Sequence, residues 1–368
     1  MSQTTIRKLR SENFRNLLPE VVDFTPGINC VFGPNGNGKT NLLEAVYYLT
    51  NRKSFRKNTG FAQLLNIEGE SQEITLSAVF EDSAGHALPL SGRISLESEE
   101  WWLENRPEKP KIAVESVFVN PFDSYLFHTS GSFRRQWLDS HLGQLDKEYR
   151  TAFNRFTKTL RFRNSLLGMG SSSQNKMQLM ALDEQFAEQS AFLTARRLDW
   201  LEKLNRFITP TFKAIFAENH DLSLDTEGKF RNWDRQRIYD FYRQTENNDF
   251  ATGHTTSGIH RDDLLFSFDG LNSFDFCSLG QQKASFLSLM FAFIELFGYK
   301  FTFYPIVLID DVSGELDSTR WKNLIHYLRE KTFQVLITTA NENFRMELEK
   351  IPHAHRVFMV QGRPQTHG

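Results

Sequence analysis

Cysteine is almost missing from this chain: two residues in 368, Cys30 and Cys277. Two thiols exclude a disulfide framework and a four-thiolate zinc site, and they fit a reducing compartment. Both read as small buried apolar residues. An excess of positive charge is missing too, with 43 Lys and Arg against 45 Asp and Glu and a net charge of −2. Any nucleic-acid surface must therefore be local. Long apolar runs are missing: the most apolar stretch, Leu287 to Tyr299, is short for a membrane span and carries Glu295. The opening MSQTTIRKLR lacks the apolar core of a secretion signal, so no leader is expected. There is no internal repeat, and no low-complexity tract beyond Ser171 to Ser173. These absences exclude a secreted mini-protein, a membrane transporter core and a fibrous chain. Phenylalanine, by contrast, is abundant at 34 residues; it reads as core packing and carries no functional argument. The length suits about two domains.

The pattern changes along the chain. Ile74, Leu76, Ala78 and Phe80 alternate with Thr75, Ser77 and Val79, the period of a half-buried strand. Ile28 to Phe32 is a short apolar run, followed by a glycine turn and an amphipathic helix over Thr40 to Leu49. Ser98 to Lys111, polar around Trp101 and Trp102, reads as a loop or hairpin tip. In the middle, Tyr149, Phe153, Phe156, Leu160 and Leu167 fall at near-heptad spacing, and so do Leu182, Phe186, Leu193, Trp200, Leu204 and Phe207. The turn-forming stretch Gly168 to Asn175 separates them, predicting an antiparallel helical hairpin that Pro210 ends. A helix is expected from about Asp234 to Glu246. Strands follow at Leu264–Phe268, Ile306–Ile309 and Gln334–Thr338, with helices at Leu279–Phe297 and Trp321–Lys331. The expected class is α/β: a head built from two sequence-distant halves with a helical-hairpin arm inserted. The segments are 1–125 (head, N-terminal half), 126–250 (arm) and 251–368 (head, C-terminal half).

The strongest motif is Gly33-Pro34-Asn35-Gly36-Asn37-Gly38-Lys39-Thr40. It fits the P-loop pattern and lies between a strand and a helix, the context that pattern needs. Glycines let backbone N–H groups wrap a phosphate, and the helix adds its positive end. Lys39 would reach the β- and γ-phosphates of ATP, and Thr40 would hold Mg²⁺. Ile306-Val307-Leu308-Ile309-Asp310-Asp311 is an apolar strand ending in acid, a Walker B candidate. Asp310 would join the Mg²⁺ shell, and Asp311 would orient or deprotonate the attacking water. Ser278-Leu279-Gly280-Gln281-Gln282-Lys283 opens a helix and resembles the signature of ABC-type ATPases, with Leu279 in place of one glycine. In that family the signature contacts nucleotide on a partner subunit, which implies a dimer. Gly314-Glu315-Leu316-Asp317 resembles the family's D-loop. Thr338 and Thr339 stand where transport proteins of that family carry a switch histidine.

Taken together these segments resemble the RecF family of DNA repair ATPases, related to SMC and Rad50 heads. The likeness extends to Asn13-Phe14-Arg15-Asn16, to Asn41 through Ala45 and Lys53-Ser54-Phe55-Arg56, and to Phe133-Arg134-Arg135 with Trp137-Leu138-Asp139. It continues through Arg163 to Leu167 and Gly258-Ile259-His260-Arg261-Asp262-Asp263-Leu264, where Ile259 replaces the usual proline and, further on, Gly314 the usual serine. The resemblance implies a cytoplasmic, nucleoid-associated protein of recombinational repair. It implies ATP and Mg²⁺ as cofactors, ATP-dependent head-to-head dimers, slow hydrolysis, and action at gapped or single-stranded DNA with RecO and RecR. It places Arg56 near the phosphates, and Ser278, Gly280, Gln281 and Asp317 at the nucleotide of the partner head.

A DNA surface has one signal in the residues themselves. From Gly131 to Ser165 eight Lys or Arg stand against three Asp or Glu, a local excess of five positive charges. Arg134 and Arg135, with Arg155, Lys158 and Arg161 at helical spacing, are the candidates. The same cations on a solvated helix face need bind nothing. His260 with its neighbouring acids invites a metal reading, but no other His or Cys stands at ligand spacing. Three further readings compete with an ATP-switched DNA-binding dimer. A transporter subunit fits poorly with the arm and with Thr338. A P-loop kinase or nuclease lacks a carboxylate cluster. An inert scaffold conflicts with intact Lys39, Thr40, Asp310 and Asp311.

Overall fold

The computed structural model describes residues 3–69, 71–104, 106–107, 114–120, 122–311 and 316–365. First come strands β1 (Thr4–Glu12), β2 (Val21–Asp23) and β3 (Ile28–Phe32), and helices α1 (Lys39–Asn51) and α2 (Phe61–Leu64). Strands β4 (Ile74–Asp82), β5 (Ala87–Ile94), β6 (Glu99–Leu103), β7 (Arg106–Pro107) and β8 (Ser116–Val119) follow. Helices α3 (Asp123–Thr129), α4 (Gly131–Leu145), α5 (Lys147–Gly168) and α6 (Ser173–Phe216) precede β9 (Leu222–Glu227) and α7 (Arg235–Thr252). Next are β10 (Asp263–Phe268), β11 (Leu271–Asn272), α8 (Ser273–Phe276) and α9 (Leu279–Phe301). The last are β12 (Ile306–Ile309), α10 (Ser318–Arg329), β13 (Val335–Thr339), α11 (Glu342–Glu349), β14 (His355–Val360) and β15 (Arg363–Gln365).

Contacts divide the chain into two units. One joins Met1–Asp123, Lys213–Glu218 and Ile294–Gly368; the other joins Ser124–Phe212 and Asn219–Phe293. The division differs from the expected segments at three places: residues 124–125 and 251–293, expected with the head, group with the helical unit, and Lys213–Glu218, expected in the arm, group with the first unit.

The first unit carries two six-stranded sheets. One has the order β15-β14-β3-β13-β12-β8, parallel from β14 to β8. Its strands β3, β12 and β13 are buried at every position, which is why they read as mostly apolar runs, interrupted only by Asn29, Thr338 and Thr339, rather than alternating ones. The other is antiparallel, β2-β1-β4-β5-β6-β7, and β4 shows the alternating burial its sequence predicts. Of the two readings for the segment from Ser98, the structure has the hairpin: β6 pairs antiparallel with β5 and β7 and places Trp101 opposite Gly92. A Cβ at Gly92 would lie 2.1 Å from the Trp101 indole, so the glycine makes room for a ring that is 4% exposed. Lys109 to Lys111, the end of the expected loop, lie outside the described residues.

The second unit contains the expected hairpin, α5 and α6, turned at Gly170 with φ +85°. Pro210 does not end α6, which continues to Phe216. Buried Ile208 and Phe212 hold the helix on either side of it, and tertiary packing overrides the proline's local preference. Arg163, fully buried, donates to Asp183 at 2.8 Å and to Asp249 and Thr255 at 2.7 Å. Burial works against its charge, but the two carboxylates outweigh burial and raise its pKa. The turn at Gly258–Asp263 is tied down in the same unit. Arg197 donates to the Ile259 carbonyl at 2.8 Å, and Arg134 grips Asp263 with two bonds of 2.7 and 2.5 Å. His260 is held down at about 4 by burial, and Asp262 is pushed up to about 6 by the same cause. Among the described residues no group of three or more His, Cys, Asp or Glu is placed to hold a metal.

Two expectations change. Helix α9, at 23 residues, is long and apolar enough on composition to cross a membrane, which the shorter run Leu287–Tyr299 hid; most of it is buried in protein, as a core helix is. Cys30 is buried as expected, but Cys277 is only partly so.

Candidate nucleotide site

The parallel sheet brings three chain segments together at its carboxyl ends, where open α/β sheets hold their ligands. Gly33 follows β3, Asp310 follows β12, and Thr338 and Thr339 close β13, the strand between the other two.

The P-loop adopts conformations only glycine takes readily. Gly33, Gly36 and Gly38 have φ of +142°, +79° and +96°. At Gly33 a Cβ would come within 2.3 Å of the Met359 carbonyl oxygen, whereas at Gly36 the space is open. The loop is thus braced behind at Gly33 and open at Gly36, the arrangement a backbone phosphate cradle needs. Pro34, Asn35 and Gly36 are exposed, Gly33, Asn37 and Thr40 half-buried, and Gly38 and Lys39 buried. Lys39 donates from Nζ to the carbonyls of Gly33 at 2.7 Å and Pro34 at 3.0 Å. Burial lowers its pKa, while Asp311 and Asp310 pull the other way. An ammonium folded into its own loop carries its charge to any phosphate entering there.

Thr40 donates its hydroxyl to the Asp310 carboxylate, 2.9 Å from each oxygen. Thr338 donates to the same carboxylate at 2.7 Å. Burial raises the Asp310 pKa, against the two hydroxyls. Asp310 makes no ion pair among the described residues. One carboxylate beside one hydroxyl is the oxygen set that suits Mg²⁺, with the remaining positions left to water and phosphate rather than to a protein cage. Asp311 follows with φ +35°, an uncommon conformation for a side-chain-bearing residue, and its N–H donates to the Thr338 hydroxyl at 3.1 Å. Thr339 instead accepts from the N–H of Asn341 at 3.1 Å.

Arg56 lies beside the P-loop helix. It donates to Asn41 at 2.7 Å and stands 3.5 Å from the fully buried Glu44, which Arg15 also holds by two bonds. Burial lowers the Arg56 pKa and Glu44 opposes it. Two supports of the loop were not read from the sequence. Asn16 donates to the Gly36 carbonyl at 2.9 Å, and the Asn37 side chain accepts from the N–H of Gln361 at 2.6 Å. Gly362, next in that turn, has its α-carbon so near Asn16 that a Cβ would sit 1.8 Å from the carbonyl oxygen. Asn16 and Asn37 stand in two of the sequence motifs, but nothing in those motifs shows these contacts, and Gln361-Gly362 carries only the signal of a turn.

The signature segment belongs to the second unit. Ser278 caps α9: its hydroxyl accepts from the Gln281 N–H, and the Gln281 side chain accepts from the Ser278 N–H. Ser278, Leu279 and Gly280 are exposed, and so is Phe276 at 68%. Asp317 caps α10, accepting from Thr319 and Arg320 N–H. Gly314 and Glu315 of the expected D-loop lie outside the described residues.

The basic stretch splits. Arg134 is 8% exposed and spent on Asp263, the Phe127 carbonyl and the Phe274 ring, so it is a fastener and not part of a DNA surface. Arg135 is half-buried and donates to the Asp262 carbonyl at 3.3 Å. Arg155, Lys158 and Arg161 are exposed on α5 and form no ion pair among the described residues.

Known proteins resemble this chain over nearly its whole length. Residues 5–365 match the RecF/RecN/SMC N terminal domain family. A protein of Lactobacillus acidophilus named DNA replication and repair protein RecF is 30% identical over 374 residues, covering 95% of this chain and 96% of that protein. One of the same name from Streptococcus agalactiae is 29% identical over 369 residues, covering 96% of each. A solved structure of the recombination mediator protein RecF with ATPrS, in the RecFOR pathway, superposes with a TM-score of 0.87 at 23% identity, over 100% of both chains. An Smc head domain from Pyrococcus furiosus, bound to the C-terminal domain of ScpA, gives a TM-score of 0.59 at 14% identity, over 99% of this chain and 96% of that one. At those identities the likeness to the solved structures is one of fold.

Proposed function

Because the chain belongs to the RecF/RecN/SMC N-terminal domain family, we propose that it is an ATP-switched DNA-binding protein of recombinational repair and replication restart. The observation that carries this reading is the meeting of Thr40 and Asp310, 270 residues apart in sequence and 2.9 Å apart in space. Two motifs that mean little singly form one phosphate-and-metal site when the fold joins them. In this reading Gly33 to Thr40 hold the phosphates of ATP, and Lys39 neutralises them. Thr40 and Asp310 are the residues that would hold Mg²⁺, which supplies charge neutralisation at the transferring phosphoryl group. Asp311 orients the attacking water and takes its proton. Arg56 adds charge near the phosphates. Ser278, Gly280 and Gln281, with Asp317, face the nucleotide of a second copy, so ATP draws two heads together and hydrolysis releases them.

The exposed Leu279 and Phe276 beside the Ser278 cap support a partner-facing role for that segment. Arg155, Lys158 and Arg161 form the DNA-facing row, with Arg135 at its margin; gapped or single-stranded DNA is the substrate, and RecO and RecR are the partners. A cytoplasmic, nucleoid-associated setting belongs to the same reading.

The test is solution mass by light scattering on Asp311→Asn with Mg²⁺ and either ATP or ADP. A dimer with ATP alone is expected. A monomer in both conditions, with ATP binding confirmed, removes the self-assembled clamp. Phosphate release by the unaltered protein, lost in Lys39→Ala, is expected alongside; no release and no nucleotide binding would return the inert scaffold.

A further inference from the structure

The parallel sheet sets β13 between the P-loop strand and the Walker B strand, with Ile337 in register beside Ile309. Register alone therefore puts residue 338 next to Asp310. Thr338 is fully buried, and its hydroxyl has one proton to give and lone pairs to offer. The N–H of Asp311 donates to it at 3.1 Å, and the hydroxyl donates in turn to Asp310 at 2.7 Å. One oxygen thus joins the carboxylate of one acid to the main chain of the next. It does so where the chain turns into a left-handed conformation, φ +35° at Asp311, which is strained for a residue with a side chain and needs support from outside. Thr40 reaches the same carboxylate from the other side. Asp310 is therefore clamped between two hydroxyls, one from the first turn of α1 and one from the end of β13, and Asp311 is aimed by the second.

We propose that Thr338 is a positioning residue of the hydrolytic site: its hydroxyl fixes the orientation of the Asp310 carboxylate and holds the backbone turn that presents Asp311. It touches neither phosphate nor water in this role; it acts through the two acids. The proposal deepens the ATPase reading and rests on it. The threonine stands where transport proteins of the ABC-type family carry a switch histidine, and its β-branched side chain suits the strand it sits in.

The experiment compares Thr338→Val, which keeps the shape and removes the hydroxyl, with Thr338→Ser, which keeps the hydroxyl. Two readouts are taken: hydrogen exchange of the Asp311 amide in nucleotide-free protein, and kcat with KM for ATP. In Thr338→Val the Asp311 amide exchanges faster, and kcat falls ~10- to 100-fold, the usual cost of losing an orienting partner behind a metal ligand. KM for ATP stays within ~3-fold, because the phosphate cradle is untouched. Thr338→Ser keeps both readouts near those of the unaltered protein. Wild-type kcat or wild-type exchange in Thr338→Val overturns the proposal, and so does a Thr338→Ser that behaves like Thr338→Val. If Thr338→Val does not fold, the unaltered protein still decides: an Asp311 amide exchanging as fast as exposed loop amides overturns it. Failure of the underlying reading looks different, since the unaltered protein would then release no phosphate at all.

Discussion

Two places in this molecule bury charge, and they do it in opposite ways. Around Arg163 the charge is matched within the protein: a fully buried cation meets two carboxylates and a hydroxyl at 2.7–2.8 Å, all in the helical unit, although among the described residues Arg163 Nη2 and Asp183 Oδ2 are left without hydrogen-bond partners. Around Asp310 the match is open: a half-buried carboxylate meets two hydroxyls and no cation in an ion pair among the described residues, while the nearby Lys39 is turned onto its own loop. Both clusters contain the residue types that catalyse reactions. A buried charge matched by its neighbours holds a fold together, whereas one matched by hydroxyls alone marks a candidate site for a cation.

The largest expected effect breaks the open side. Asp310→Asn keeps the size and loses the charge; phosphate release should drop roughly 100-fold or more. Its melting temperature should hold or rise, since an unpaired carboxylate no longer has to be kept from water. An unfolded Asp310→Asn would mean that the acid is structural and the contrast is false. Arg163→Met tests the closed side. Stranding Asp183 and Asp249 should cost about 3–5 kcal/mol in denaturant unfolding, with nucleotide binding intact in what remains folded. A loss below about 1 kcal/mol would show that the triad is not a fastener.

A subtler test uses pH. Burial holds His260 at about 4, below the 6.5 of a free imidazole, so the unfolded chain takes up a proton that the folded protein refuses. Its contribution is whole above 6.5 and is lost as pH falls toward 4. His260→Gln should therefore flatten the decline of melting temperature on acidification; parallel curves for the two proteins would refute the assignment. The smallest effect concerns charges that are neither matched nor buried. Replacing Arg155, Lys158 and Arg161 with alanine should leave stability nearly unchanged and lower the salt slope of DNA binding by about two to three. An unaltered slope would leave the row an ordinary solvated face.

The sequence disclosed what is contiguous. The P-loop, the apolar strand before Asp310 and Asp311, and the paired helices of the arm are each written in one stretch of residues, where local spacing is enough. It did not disclose what strand order brings together. Nothing near Thr338 shows that β13 lies between β3 and β12, and nothing near Asn16 or Gly362 shows that they brace Gly36 and Asn37. Counting charges also treated Arg134 like Arg155, although one is spent on Asp263 and the other is exposed; burial separates them, and burial is a property of the fold. Pro210 misled for a related reason, since a local preference was weighed without Ile208 and Phe212 packing on either side of it.

The bracing of the P-loop by the turn at Gln361 and Gly362 has a consequence for how the protein comes to be made. Strand β3 lies between β13 and β14, and the loop that follows it leans on that turn. During synthesis the phosphate loop leaves the ribosome 324 residues ahead of the Gln361 amide that braces it. Until that turn has been made a nascent chain lacks this support for its loop, and a chain cut short before β14 never gains it.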